Sequence, residues 1–247
     1  MRFIALFFFC GQSFWFDVCD CFVLISLMKS MKRLLFTLFA AVLLPMFAFA
    51  KSDPVLVSKI DFKKLPQIGG SSGQWTRIEV QLDGKENPND KSTNTQWIRG
   101  VDVQLTLVYL DEKAKDKRSP ESMVVLKNKA RLFAIKVGTK TNVMFYIPPE
   151  AYNVYRLSKD PFAYSIELTV NGSAIELSKE NIKSLLSKSI VKASDPKKVY
   201  DSYQKLVSAA AAANENALMN LQQAPYNVQK FEYENSKDVP TYLPVSK

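Results

Sequence analysis

From Trp97 to Leu110 the chain alternates: Val101, Val103, Leu105, Leu107 and Tyr109 fall on every second position, with Asp102, Gln104 and Thr106 between them. A two-residue period sends the two sets to opposite faces of a strand. Five apolar side chains on one face predict a central, buried strand. The same period recurs along the chain. Val55 to Phe62 carries Val55, Val57, Ile60 and Phe62, and the break near Lys59 predicts a bulge. Trp75 to Leu82 sets Ile78, Val80 and Leu82 against Arg77, Glu79 and Gln81. Met123–Leu126 and Leu132–Val137 are apolar runs joined by basic Lys127–Arg131, which reads as one long kinked strand or two short ones. Asn142 to Ile147 is a further strand, stopped by Pro148-Pro149 because proline cannot donate to a ladder. Phe162, Tyr164, Ile166, Leu168 and Val170 alternate through a last one, and Asn171-Gly172 turns it back through Ala174–Leu177. Asn-Gly between such runs is a hairpin signal because both residues tolerate positive φ.

After Leu177 the period changes. Ile182, Leu185, Leu186 and Ile190 recur at helical spacing, with Ser178 as a cap and Asn181 where a capping box carries Glu or Gln. Asp195-Pro196 supplies a cap and a first-turn proline for a second helix, which the apolar stripe Val199, Tyr203, Leu206, Val207 and Ala210 carries on to about Leu221. Beyond Pro225 the chain is rich in Tyr, Pro and charge. The expected fold is mainly β: an antiparallel β-sandwich over 51–177, a helical appendage of two α-helices over 178–224, and an extended tail over 225–247.

The first fifty residues follow another logic. Met28-Lys29-Ser30-Met31-Lys32-Arg33 is a basic head, Leu34–Leu44 is apolar apart from Thr37, and Ala48-Phe49-Ala50 places small residues before Lys51. Together they predict a secretory signal over 28–50, cleaved between Ala50 and Lys51. Residues 1–27 are expected to be an upstream extension that is not translated. Cys10, Cys19 and Cys21 all precede the cut, so the exported chain would hold together by its core, without disulfides. The four bases and two acids before Lys51 also leave with the signal. What remains is 29 bases against 22 acids, a formal balance of about +7 that favours anionic partners and solubility.

Composition narrows the chemistry. The chain has no histidine, and none of its cysteines follows the signal. A Ser-His-Asp triad and a His/Cys zinc site are therefore excluded. Gly69-Gly70-Ser71-Ser72-Gly73 lacks the Lys and helix of a phosphate loop. Asp83, Glu86, Asn87, Asn89 and Asp90 lack the spacing of an EF-hand. Glu79, Glu167 and Glu176 sit at solvent-facing positions of alternating strands, which does not pair them for glycoside hydrolysis. The expectation is a protein that is not an enzyme and needs no cofactor or metal. Two surfaces invite an interaction role: the basic stripe Lys127, Lys129 and Arg131, and the aromatic tail residues Tyr226, Phe231, Tyr233 and Tyr242. Lysines on a strand also discourage edge-to-edge pairing, a simpler use of the same residues.

Three segments carry a resemblance: Gln74-Trp75-Thr76-Arg77-Ile78-Glu79-Val80, the run from Asn94 to Tyr109 with its Trp97-Ile98, and Val143-Met144-Phe145-Tyr146-Ile147-Pro148. In succession, over about residues 55–177, they resemble a family of exported pilus-like proteins encoded beside a secretin and type IV pilus assembly components in Gram-negative bacteria. The resemblance implies an immunoglobulin-like domain at the periplasm or cell surface. It further implies protein partners in a pilus-like or envelope assembly, and self-association. No site residue is carried over, because no functional motif is shared. Export makes nucleic acid an unexpected partner, while the basic stripe would suit peripheral membrane contact. The alternative is an extracellular carbohydrate-binding or hydrolytic β-sandwich, which a flat row of exposed aromatics or a calcium-bearing cleft would favour.

Overall fold

The structure, a computed structural model, describes residues 53–244 apart from 69, 71–72, 90, 92, 112–121, 179–180, 211–216 and 237–238. The expected signal, its cut at Ala50 and Lys51, the residues before it and most of the charged 111–120 run lie outside the described residues.

Among the described residues, nine strands form two antiparallel sheets. Sheet A has the order β1 (Val55–Lys64), β2 (Thr76–Gly84), β5 (Lys140–Ile147) and β8 (Met219–Asn220). Sheet B has the order β7 (Ser173–Ala174), β6 (Ala163–Val170), β3 (Trp97–Leu110), β4 (Met123–Lys136) and β9 (Tyr242–Leu243). The two sheets pack as a sandwich. Its interior takes Ile78, Val80 and Leu82 from β2, Val143, Phe145 and Ile147 from β5, and Val101, Val103, Leu105, Leu107 and Tyr109 from β3, all of them fully buried. Each large apolar side chain removed from water in this way contributes about 1.5–3 kcal/mol.

β3 covers the span that the alternation predicts, and it is central, paired to β4 on one side and β6 on the other. The break near Lys59 is a register shift between Val57 and Lys59. Met123–Lys136 is one continuous strand. The Asn171-Gly172 turn has positive φ at both residues, but the returning strand β7 is two residues long rather than four.

One irregularity shapes the end of sheet B. Buried positions step by three across Gly100, from Ile98 to Val101, and by three on the facing strand, from Leu132 to Ile135. Gly100 has φ +61°, and a Cβ there would sit 3.2 Å from Asn171 Oδ1, so a residue without a side chain is needed to change the pleat. The exposed set at this end is then Trp97 and Arg99 on β3 with Phe133 and Lys136 on β4.

Helices fill the connections: α1 (Pro149–Val154), α2 (Ile182–Leu185), α3 (Lys188–Val191), α4 (Pro196–Ala209) and α5 (Tyr226–Asn235). The single helix read from Ile182, Leu185, Leu186 and Ile190 is two short ones. Leu186 is extended between them and bridges to Ser165 on the edge of β6. Ser178 and Asn181 exchange reciprocal bonds, Ser178 N–H donating to Asn181 Oδ1 at 2.8 Å and Asn181 N–H to Ser178 Oγ at 3.2 Å. Asn thus takes the capping-box role of Glu or Gln. The Asp195 carboxylate accepts from Lys198 N–H at 3.1 Å to start α4.

Two expectations about the C-terminal part need correction. α4 ends at Ala209 rather than near Leu221, and Met219–Asn220 is strand β8. The segment after 225 is not an extended tail: it holds α5, then returns as β9. β8 and β9 close the same lateral seam, where β4 and β5 are the flanking strands of their sheets. β8 pairs with β5, β9 pairs with β4, and Asn220 Nδ2 donates across to Lys129 O at 2.9 Å. Leu218, Leu221, Ala224 and Val228 are buried with this closure, which adds apolar burial that neither short strand supplies alone. Among the described residues, no helix is long and apolar enough to cross a membrane.

Candidate interaction surfaces

The strand period sends alternate residues of β3, β4 and β6 to the outer face of sheet B. Register aligns Asp102 with Arg131 and Thr169, Gln104 with Lys129 and Glu167, Thr106 with Lys127 and Ser165, and Val108 with Val125 and Ala163. The sequence predicts this face to be open to solvent, and over half its length it is not. Asp102 is 8% exposed, Thr106 3% and Val108 1%. Lys129 and Arg131 reach over Asp102, and α4 covers the rest: its Gln204 Nε2 donates to Glu167 Oε1 at 3.4 Å, and its Tyr203 and Leu206 line one cavity with Val108 and Ala163. Gln104 Nε2 also donates to Glu167, so that carboxylate joins strand to helix. Burial pushes the Tyr203 hydroxyl up to about 12.

Beneath α4 lies a cavity of about 180 Å³ lined by apolar groups that include Val108, Met123, Ala163, Val199 and Leu206. Phe162 at its rim is 53% exposed.

The basic stripe of β4 divides into two parts. Lys129 Nζ reaches Asp102 Oδ2 at 2.7 Å, and Arg131 reaches the same carboxylate through Nε at 2.7 Å and through a second guanidinium nitrogen at 3.1 Å. Burial pushes the Asp102 carboxyl up. The hydrogen bonds and charges of Arg131 and Lys129 outweigh it and hold the group below the usual carboxylate range. Lys129 and Arg131 are therefore engaged in holding the sheet, and Lys127 is the exposed member of the three.

At the end of sheet B that α4 does not reach, Trp97 is 40% exposed and Phe133 53%. Trp97 lies directly opposite Lys136, and Arg99 opposite Ala134. The strand pattern does not single out Phe133 or Arg99. The only signal was the three-residue step around Gly100, which is not distinguishable from noise in a linear pattern.

The aromatic tail residues do not form one surface. Tyr226 and Tyr233 are exposed on α5, at 78% and 61%. They are seven residues apart, two helical turns on one face. Phe231 is half-buried against the core. Tyr242 is not a surface group at all, at 7% exposed: its hydroxyl accepts from Met144 N–H on β5 at 3.0 Å, and burial raises its pKa. That bond serves a backbone donor of a sheet edge, for which an unpaired state would be costly.

α5 itself is fixed to the outer face of sheet A by an ion pair. One terminal nitrogen of Arg77 donates to both Glu232 oxygens, at 3.1 and 2.9 Å, and Ser236 Oγ donates to the same carboxylate at 2.8 Å. The Glu232 side chain is fully buried, and that of Arg77 is 16% exposed. Opposite Arg77 in the sheet stands Tyr146, whose buried hydroxyl is raised by desolvation and by the Glu232 charge. The two acids most deeply enclosed in the outer layers, Asp102 and Glu232, are thus bound to strand and helix partners. Among the described residues, no group of three or more Cys, Asp or Glu could hold a metal ion.

No protein-family profile matches the chain, and no curated protein sequence does. Among solved structures, a crystal structure of a protein from Akkermansia muciniphila is similar at a TM-score of 0.49 and 14% identity. The likeness covers 77% of this chain and 93% of that one. At that level it carries neither fold nor function here, and the sandwich rests on the strand pairing above.

Proposed function

We propose that the chain is a non-enzymatic, exported interaction module of a pilus-like or secretion assembly, built on an immunoglobulin-like sandwich. The observation that carries this reading is how the strands divide between the sheets. β1, β2 and β5 stand against β3, β6 and β7, as first, second and fifth strands stand against third, sixth and seventh in immunoglobulin-like sandwiches. Here β4 pairs with β3, and β8 and β9 are additions from the C-terminal segment. Such sandwiches present faces and end loops to other proteins on a rigid frame. The exposed Tyr226 and Tyr233 of α5 and the open end of sheet B are suitable faces.

The reading is tested in the producing bacterium with a photo-cross-linking residue placed at Tyr233, at Lys127 and, as a buried control, at Leu105. Adducts to one identified envelope component from an outward position, and none from Leu105, are expected. Loss of adducts at both outward positions would reject the reading. The N-terminus of the exported protein is expected at Lys51, and an unprocessed, intracellular chain would remove the premise of export. Hydrolysis of an extracellular polymer by the purified protein would favour the alternative of a carbohydrate-active sandwich.

A further inference from the structure

The open end of sheet B combines two things that a soluble surface usually keeps apart. Trp97 and Phe133 expose much of their rings, and the exposed charged residues beside them on β3 and β4, Arg99 and Lys136, are both cations. Arg99 precedes the Gly100 break on β3, and Lys136 faces Trp97 across the ladder. Both are exposed, and no ion pair engages them among the described residues. The contrast with the middle of the same face is informative, since there Lys129 and Arg131 are both matched to Asp102.

We propose that this end of sheet B, with Trp97 and Phe133 flanked by Arg99 and Lys136, is a docking surface for an anionic lipid bilayer. The charge is complementary to phospholipid headgroups, which attract juxtamembrane cations over about a Debye length. Tryptophan suits the headgroup level, where its ring is half in and half out of the apolar layer, and phenylalanine suits the acyl boundary just beneath. A sugar-binding platform would flank its aromatic rings with carboxylates and amides that bond hydroxyls. Here the flanking groups are cations and the methyl of Ala134. The surface lies on β-strands whose buried partners, Ile98 and Ile135, are 0% and 1% exposed, so the exposed set is held on a rigid support. The site adds a membrane partner to the proposed interaction module, and it stands or falls independently of which protein that module meets.

The protein gives its own reporter. From Ser52 onward, where one compact unit holds the whole described core, the chain has two tryptophans. Trp75 is already buried at 6% exposure, so a change in emission reads Trp97. The experiment titrates the exported chain, from Lys51 onward, with vesicles of phosphatidylcholine alone and of equal parts phosphatidylcholine and phosphatidylglycerol, at low and high salt, beside a flotation assay. A blue shift and flotation with the anionic vesicles, weakened by salt and absent with phosphatidylcholine, are expected. Arg99→Glu/Lys136→Glu is expected to weaken partitioning by about tenfold or more, since each cation near an anionic surface contributes appreciably. Phe133→Ser is expected to weaken it several-fold while leaving the salt dependence in place. Lys183→Glu/Lys205→Glu, with the same change in net charge elsewhere, is expected to retain most of the binding.

Equal loss in that control would mean that net charge alone is responsible and would overturn the site. Equal binding to neutral vesicles, or no binding to either, would overturn it too. A Trp97 shift with dextran sulfate but not with vesicles would assign the surface to an anionic glycan instead. Thermal unfolding of each variant shows that a loss is not unfolding, because all five substituted positions are solvent-exposed. A failure here leaves the cross-linking result at Tyr233 untouched.

Discussion

The pair Arg77–Glu232 gives the sharpest test of how the C-terminal segment is held. Glu232 is fully buried, and its charge is matched by one guanidinium and one hydroxyl. Arg77→Met keeps the length and apolar stem of the side chain but leaves the carboxylate without its cation. Removing one partner of a buried pair costs about 3–5 kcal/mol, because the remaining charge is uncompensated. For a domain of this size each kcal/mol is worth about 2–4 °C, so the thermal midpoint is expected to fall by roughly 6–20 °C. The companion variant Arg77→Met/Glu232→Leu removes both charges and is expected within about 2 kcal/mol of the parent, since apolar replacement of a buried pair is often neutral. Circular dichroism against temperature measures both. Limited proteolysis adds the location: Arg77→Met alone should open α5 to cleavage while β3 and β4 stay protected. If Arg77→Met shifts the midpoint by less than about 2 °C, or if the double variant is as unstable as the single one, the charge pair is not what fixes α5. The tail would then be held by the burial of Leu221, Ala224, Val228 and Tyr242.

Three further outcomes follow from the same geometry. Gly100→Ala is expected to cost about 1–2 kcal/mol, because the left-handed φ and the nearby Asn171 both disfavour a Cβ; chemical denaturation checks it, and an unchanged midpoint would mean the strand relaxes freely at that point. Tyr242→Phe removes the acceptor of Met144 N–H without altering the ring, so about 1–3 kcal/mol should be lost and amide exchange at Met144 should quicken. Asp102 has a folded pKa below its unfolded one, so its contribution is present at neutral pH, above the unfolded value, and is lost as pH falls through the folded value. Asp102→Asn should therefore cost about 1 kcal/mol at neutral pH, modest because Lys129 and Arg131 are partly solvated, and the gap to the parent should close in strong acid. A gap that stays constant with pH would show that the carboxylate charge contributes nothing.

The division between what the chain spells out and what folding adds is visible residue by residue. Alternation alone is enough to place β3, since a strand buried on one face needs apolar residues at every second position whatever lies around it. The Asn171-Gly172 turn and the Asp195-Pro196 helix start are local in the same sense: each depends on backbone preferences of two residues. The layered β architecture follows from several such strands with turns between them.

What covers an outer face is not local. Asp102, Gln104 and Thr106 read as solvated because polar residues opposite an apolar face usually are, yet α4 comes from about a hundred residues later to lie over Thr106 and Val108. Tyr242 and Glu232 read as tail residues. They become buried because Met144 N–H and the Arg77 guanidinium, far away in sequence, need an acceptor and an anion. β8 and β9 are two residues each, too short to show any period, and exist only because the edges of β5 and β4 offer unpaired backbone groups to join. The exposed Trp97 and Phe133 were hidden for a related reason. Their exposure depends on the pleat change at Gly100, a position that Asn171 of the distant hairpin crowds. The sequence by itself determined the strands, the hairpin and the helix caps, because those are set by neighbours along the chain. The tertiary structure decided which faces and edges remain open, because that is set by partners that only folding brings together.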